Sequence, residues 1–169
     1  MKNFLLYSSI LLGLLALTAC EKDDICPEDT DTTPLIYVKF YRVDDQNQNN
    51  TTGNVYAKAI GFNDTIFRKG SEIKLPLQIS KEETTWVLTL ESLNEENQPI
   101  VRHDTLKFLY TPRTEYLNKA CGYRTTFVLN EETKMPILNN NKQGNWISIY
   151  ELQTSFIENE QEEHLKIFY

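Results

Sequence analysis

Apolar and polar side chains alternate along several short stretches of this chain. The clearest examples lie at residues 36–41, 73–80 and 86–91, where every second residue is apolar. A period of two is that of a β-strand with one buried face, because successive side chains point to opposite sides of a sheet. No stretch after residue 34 shows the 3.6-residue period of an amphipathic helix. The pattern therefore predicts an all-β fold.

Five further segments are strand candidates: residues 55–61, 100–110, 121–130, 146–157 and 164–169. Breaks rich in Asn, Asp, Gly and Glu separate them, as expected for turns. Short strands at such spacing are typical of a single antiparallel, immunoglobulin-like β-sandwich, here of about eight strands. A small open barrel is the structural alternative.

One proline helps to order these strands. Pro76 lies within the alternating segment 73–80. Because proline has no amide hydrogen to give to a neighbouring strand, this segment should lie at a sheet edge or carry a bulge. Residues 44–53 and 139–145 are polar throughout and are predicted to be exposed loops.

The first residues have the pattern of an export signal. Lys2 precedes an apolar run at residues 4–17, and Leu17-Thr18-Ala19-Cys20 resembles a bacterial lipobox, in which Cys20 is acylated after cleavage. An ordinary cleaved signal is the alternative. We predict a lipoprotein signal peptide at 1–19, a lipidated cysteine with an acidic tether at 20–33 and a β-sandwich domain at 34–169. The partner of the N-terminus would then be the membrane.

The tether begins with a second short motif. Lys22, Asp23 and Asp24 follow the cysteine and resemble the surface-export tag of Bacteroidota lipoproteins. The alternative is a solvated acidic spacer that no receptor recognises. With the tag, the protein would be anchored in the outer membrane at the cell surface; without it, the periplasmic leaflet is the other location.

The charge balance argues against one class of partner. The 169 residues contain 17 Lys and Arg against 24 Asp and Glu, a net charge of −7. An acidic chain without a basic block does not neutralise phosphates, so nucleic acid is not an expected partner.

Three cysteines are present, and two remain once Cys20 is assigned to lipid. In an oxidising compartment Cys26 and Cys121 form an even pair, which predicts a disulfide. The alternative is that Cys121 is a buried free thiol and Cys26 is loose in the tether.

The sequence offers no convincing catalytic set. His103 and Asp104 are neighbours in a strand and should point to opposite faces, and His164 is expected to be a solvated strand residue. No metal-ligand spacing, nucleophile elbow or phosphate-binding glycine loop is present. We therefore expect no enzyme activity, no metal and no cofactor.

Aromatic residues on strands suggest a binding face. Tyr37 and Tyr41 lie opposite the apolar residues of their strand, and Trp146 and Tyr150 share one face of another segment. If these four converge at the surface, they could hold a protein or a glycan; packing within the strands is the alternative. Trp86 shares the face of two leucines and is expected in the core.

Three threonines match a modification pattern. Thr32, Thr65 and Thr105 each follow an aspartate and resemble the O-glycosylation acceptor of Bacteroidota. The flanking Gly61 and Asn63 make Thr65 the most accessible of the three.

These features together resemble a family of small Bacteroidota outer-membrane lipoproteins of unknown function. The resemblance rests on the lipobox, the acidic tether with Cys26, the strand LIYVKFY, the segment IKLPLQI and the stretch around Ala120-Cys121-Gly122-Tyr123. It covers nearly all of residues 20–129. It implies that Cys26 and Cys121 belong to one structural feature, and it brings no activity, ligand or catalytic residue.

We therefore expect a lipid-anchored envelope protein that acts as a non-catalytic binding module for a protein or glycan. A structural envelope component without a soluble ligand, or a periplasm-facing accessory lipoprotein, is the alternative.

Overall fold

The computed structural model describes residues 25–129 and 136–169. Within these ranges the chain forms eleven β-strands, and no helix there is long and apolar enough to cross a membrane. The strands are β1 (Ile36–Tyr41), β2 (Asn54–Ala59), β3 (Thr65–Phe67), β4 (Glu72–Leu75), β5 (Glu83–Leu93), β6 (Pro99–Asn118), β7 (Gly122–Leu129), β8 (Ile137–Leu138), β9 (Ile149–Leu152), β10 (Phe156–Ile157) and β11 (Leu165–Phe168).

The strands form two sheets in a sandwich-like arrangement, which confirms the predicted fold class. The four-stranded sheet has the order β4-β1-β11-β9. The seven-stranded sheet has the order β10-β7-β6-β5-β2-β3, and β8 pairs with β6 beside this path. The pairs with a described register are antiparallel except β1 and β11, which run parallel.

The chain divides into two compact units. Of the described residues, 25–30 and 116–123 belong to one of them. Asn118 closes the turn between β6 and β7 in this unit, because its Oδ1 accepts hydrogen bonds from the amides of Ala120 and Cys121 at 2.9 and 2.8 Å. The other unit comprises Asp31–Glu115 and Arg124–Tyr169 and contains the core.

The core is built from the apolar residues of the alternating strands. Phe40, Phe108 and Phe127 are fully buried, and Trp86 is only 3% exposed. Each comes from a strand in which every second side chain points inward, so the buried faces of the two sheets account for the period of two. The expectation that Trp86 belongs to the core is confirmed.

The number of strands exceeds the prediction of about eight. The structure adds the three-residue β3 and the two-residue β8, and it divides the predicted segment 146–157 into β9 and β10. Segments of two or three residues are too short to show a period of two, so the alternation could not reveal them.

The edge position predicted from Pro76 is confirmed. β4 lies at one edge of the four-stranded sheet and ends at Leu75, directly before the proline. Leu77 is still buried beyond the end of the strand. The missing amide hydrogen of Pro76 thus ends the ladder without removing the apolar side of the segment from the core.

Candidate functional site

The residues assigned to anchoring and to the disulfide differ in what the structure shows of them. The lipidation and export positions lie outside the described residues: Cys20, Lys22, Asp23 and Asp24. Cys26 and Cys121 are joined by a disulfide, with Cα atoms 4.8 Å apart. The predicted pairing is therefore confirmed. It connects residues 25–30 to the turn between β6 and β7, all within one compact unit.

The three candidate acceptor threonines have different environments. Thr32 and Thr65 are exposed, and Thr65 begins the edge strand β3. Thr105 is half-buried, and both its amide and its hydroxyl donate hydrogen bonds to Oδ1 of Asn139, at 2.7 and 3.2 Å. The hydroxyl of Thr105 is thus engaged within the fold, whereas Thr32 and Thr65 are exposed residues. Modification of any of them stays a prediction.

The four aromatic residues predicted to share a binding face do not converge. Tyr37 and Tyr41 point outward from the four-stranded sheet, whereas Tyr150 pairs with the buried Ile167 and packs against the core. Trp146 is only 4% exposed and Tyr41 only 8%. The prediction of one displayed face formed by these residues is therefore wrong.

A buried carboxylate explains the position of Trp146. Asp104 is fully buried, and its Oδ2 accepts hydrogen bonds from the amides of Trp146 and Ile147, each at 2.9 Å. Its Oδ1 accepts from the Asn145 amide at 2.7 Å and from Nδ2 of Asn139 at 2.6 Å. Four donors thus satisfy one carboxylate and hold the preceding loop so that the indole enters the core.

On the outer face of the four-stranded sheet, the hydroxyl groups of two tyrosines are hydrogen-bonded to neighbouring carboxylates. The hydroxyl of Tyr37 donates to Glu72 at 2.5 Å, and that of Tyr41 donates to Glu163 at 3.0 Å. The hydrogen bond to Glu72 and then burial raise the pKa of Tyr37 to about 12. Burial and then the bond to Glu163 raise the pKa of Tyr41 to about 12. Both phenols are therefore neutral donors committed to neighbouring carboxylates.

The two histidines differ in exposure. His103 is exposed while Asp104 is fully buried, so the expectation that they point to opposite faces is confirmed. His164 is only 3% exposed, which corrects the expectation of a solvated residue. Its ring accepts a hydrogen bond from the backbone amide of Tyr37, and this bond explains why a polar ring is buried there.

The outer face of the seven-stranded sheet displays a different pair of aromatic rings. Phe67 is 70% exposed, and its ring lies 5.8 Å from that of Tyr56, at an interplanar angle of 45°. The hydroxyl of Tyr56 donates to Glu91 at 3.2 Å. Burial and this hydrogen bond raise the pKa of Tyr56 above its usual value. We call these two rings the Tyr56–Phe67 pair.

Two hollows flank this pair. The Lys58 hollow, of about 620 Å³, is lined by Tyr56, Lys58, Thr65 and His103 among others. The Arg68 hollow, of about 510 Å³, is lined by Tyr56, Phe67, Arg68 and Glu91 among others. Tyr56 contributes to both, so the aromatic pair stands between two depressions on one side of the sheet.

A smaller, more apolar cleft lies behind the edge strand β3. Its volume is about 390 Å³, and Ile66, Leu77 and Trp86 form part of its wall. The indole Nε1 of Trp86 donates to the carbonyl of Pro76 at 3.3 Å. The polar atom of this indole is thus occupied within the protein, and the cleft offers a ligand mainly apolar contact.

The sequence contained part of the signal for the Tyr56–Phe67 pair. Val55, Ala57 and Ala59 are buried while Lys58 is exposed, so the alternation alone places Tyr56 on the outer side of β2. Phe67 belongs to a strand of three residues, and its partner strand is not evident from any periodicity. Tyr56 could therefore have been identified, whereas Phe67 could not.

Of the comparisons with known proteins, the one with protein families gives a match. No curated protein and no solved structure matches the chain. A family described as "Family of unknown function (DUF6452)" matches residues 52–169, a range that includes Cys121 and the Tyr56–Phe67 pair but not Cys26. Because the match extends over more than half of the sequence, the chain belongs to this family of unknown function.

Proposed function

We propose that this protein is a non-catalytic glycan-binding module, carried by a lipid-anchored protein of the cell envelope. The observation that carries the proposal is the exposed Tyr56–Phe67 pair on the outer face of the seven-stranded sheet. An exposed aromatic ring offers a flat apolar surface against which the C–H face of a sugar ring can pack. Polar groups around it then fix the orientation of the ligand.

The surroundings of the pair favour a glycan over a protein partner. Its neighbours on the sheet face include several polar groups: Thr89 pairs with Tyr56 in register, and Thr65, Lys58 and Val87 occupy the next row. Protein interfaces centre on a contiguous apolar patch from which charged residues are depleted. Two rings set between hollows that combine apolar side chains with hydrogen-bonding groups match the alternation of apolar faces and hydroxyl groups on a saccharide better.

The anchoring part of the proposal rests on the N-terminal motif. Cys20 follows small residues and an apolar run, and an acylated cysteine would hold the domain at a membrane. The acidic residues between Cys20 and Cys26 would act as a solvated tether, because the disulfide to Cys121 holds the chain at Cys26. A module tethered in this way would present its sheet face to polysaccharides of its own or a neighbouring envelope.

Affinity electrophoresis tests the binding proposal. The full chain is run in native gels that contain dextran, xylan or polygalacturonate, beside Phe67→Ala and the control Phe156→Ala, which removes an exposed ring on β10. We expect at least one polymer to retard the wild type and the control, and Phe67→Ala to lose most of that retardation. If no polymer retards the wild type, the proposal is wrong and a spacer role in the envelope is favoured.

A further inference from the structure

The two hollows beside the Tyr56–Phe67 pair differ in charge. The Arg68 hollow contains Glu91 as well as Arg68. No Asp or Glu lines the Lys58 hollow, where Lys58 and His103 are the basic side chains. Apolar side chains such as Ile60, Phe62 and Val87 complete the wall of this hollow, so the charge that it presents is the positive charge of Lys58. Its charge is complementary to an anion.

Lys58 is available for such an anion. Within residues 25–129 and 136–169, its ammonium has no hydrogen bond or ion pair. Two other lysines on the sheets are paired with carboxylates: Lys107 lies 2.7 Å from Glu83, and Lys74 lies 2.8 Å from Glu160. A carboxylate supplied by a ligand would give Lys58 the partner that these lysines find inside the protein.

Arg68 is not available in the same way, although it lines the neighbouring hollow. Its guanidinium donates to the backbone carbonyls of Thr51 and Thr52, at 2.8 and 3.3 Å, and to that of Gly53. It also donates to the carbonyl of Asn50 at 3.3 Å and to the hydroxyl of Tyr169. Its donors are thus used to hold the loop between β1 and β2. The Lys58 ammonium, by contrast, remains to bind a ligand beside the pair.

His103 supplies a second donor in the Lys58 hollow. Its Nδ1 lies 2.9 Å from the hydroxyl of Thr89, which fixes the ring against the sheet. Across the part of the chain that the structure describes, Nε2 has no hydrogen-bond partner, and His103 is exposed. When the hydroxyl donates to Nδ1, Nε2 carries the proton and can donate to an incoming oxygen.

The register brings these groups beside the aromatic rings. Tyr56 and Lys58 project from the same side of β2, two residues apart, and Thr89 pairs with Tyr56 on one side and with His103 on the other.

One ammonium and one imidazole N–H match a singly charged carboxylate. We infer that the ligand is an acidic glycan, with one sugar ring on the Tyr56–Phe67 pair and the carboxylate of a uronic acid held by Lys58. This inference rests on the proposed function.

The test compares polygalacturonate with its fully methyl-esterified form, which keeps the sugar rings and removes the charge. Binding to the full chain is measured by isothermal titration calorimetry. We expect the wild type to bind the acid at least about tenfold more tightly than the ester, the effect of one charge-assisted hydrogen bond. Lys58→Gln should weaken binding of the acid to about the level of the ester and leave binding of the ester unchanged.

Matched controls separate this inference from the proposed function and from simple charge attraction. Lys81→Gln removes an exposed lysine outside the hollow and should behave as the wild type. Equal affinity for acid and ester, with loss of both in Phe67→Ala, would overturn the inference while glycan binding stands. Poly-L-glutamate binding as tightly as polygalacturonate would overturn it in favour of a polypeptide. Binding of no polysaccharide would overturn both.

Discussion

The backbone amide of Tyr37 donates a hydrogen bond to Nδ1 of His164, 2.9 Å away. In return, the amide of His164 donates to the carbonyl of Tyr37 at 2.8 Å. The imidazole thus takes the place of a backbone acceptor where β11 comes alongside β1. Because Nδ1 accepts this bond, the ring must be neutral for the contact to exist.

Stability should therefore fall as His164 becomes protonated. Burial lowers the pKa of His164 below its ordinary value of 6.5, and a backbone hydrogen bond with Asn159 opposes that shift. Between the two pKa values the unfolded chain binds more protons than the folded one. The free energy of unfolding is then highest above pH 6.5 and decreases below it, by up to about 1.4 kcal/mol per pH unit.

Urea denaturation between pH 7.5 and pH 5.0 measures this slope. His164→Asn places an uncharged amide oxygen where Nδ1 accepts, so we expect a smaller decrease across the same range. His103→Asn, which alters the exposed histidine, is measured beside it as the matched substitution. An identical slope in His164→Asn and the wild type would contradict the assignment to His164.

A second prediction concerns the buried carboxylate of Asp104. Asp104→Asn replaces one acceptor oxygen by an NH₂ group, so that two of four backbone or amide donors lose their partner in the core. We expect a loss of about 2–4 kcal/mol in the free energy of unfolding, because unpaired buried donors carry their full desolvation cost. Residues 139–145 should also become sensitive to limited proteolysis.

Asp64→Asn is the matched control for this prediction, because Asp64 is exposed. It should change the free energy of unfolding by less than about 0.5 kcal/mol. A loss no larger than this in Asp104→Asn would show that the loop does not depend on the carboxylate.

Asp104 also shows where prediction from the sequence ends. Strands β1, β4 and β5 were evident because one buried face imposes a period of two, and the edge position of β4 followed from Pro76. The place of Trp146 depends on an acceptor 42 residues earlier in the chain. No local pattern encodes such a contact.

The candidate site was missed for a related reason. Phe67 gains its importance from pairing with Tyr56 across two strands, and β3 is only three residues long. The exposure of a ring depends on which strands cover it. The alternation of apolar and polar residues does not reveal the order of the strands in a sheet. The cysteine pair could be predicted because counting alone left two candidates, Cys26 and Cys121.

A third prediction concerns that disulfide. The bond between Cys26 and Cys121 spans 95 residues, and cross-linking such a loop removes conformational freedom from the unfolded chain. The double variant Cys26→Ser, Cys121→Ser should lose at most about 4–5 kcal/mol in the free energy of unfolding. Dithiothreitol should lower the midpoint of the unfolding transition of the wild type towards that of the variant. It should leave the midpoint of the variant unchanged. A wild type unaffected by complete reduction would contradict this.

The fourth prediction tests the anchoring and location of the protein. Intact cells that express the full chain are treated with protease, beside Cys20→Ala and a triple variant with Lys22→Ala, Asp23→Ala and Asp24→Ala. If Cys20 is acylated and the tag directs export, the wild type should be digested on intact cells. The triple variant should be digested only after lysis, and Cys20→Ala should leave the membrane fraction.

These outcomes also bear on which glycans the proposed binding module would meet. A wild type protected on intact cells and digested after lysis would contradict surface exposure and place the ligand among periplasmic polysaccharides. Cys20→Ala retained in the membrane fraction would contradict the lipid anchor. Digestion of wild type and triple variant alike would contradict the role of Lys22, Asp23 and Asp24. The acidic segment would then be a solvated spacer that no receptor recognises.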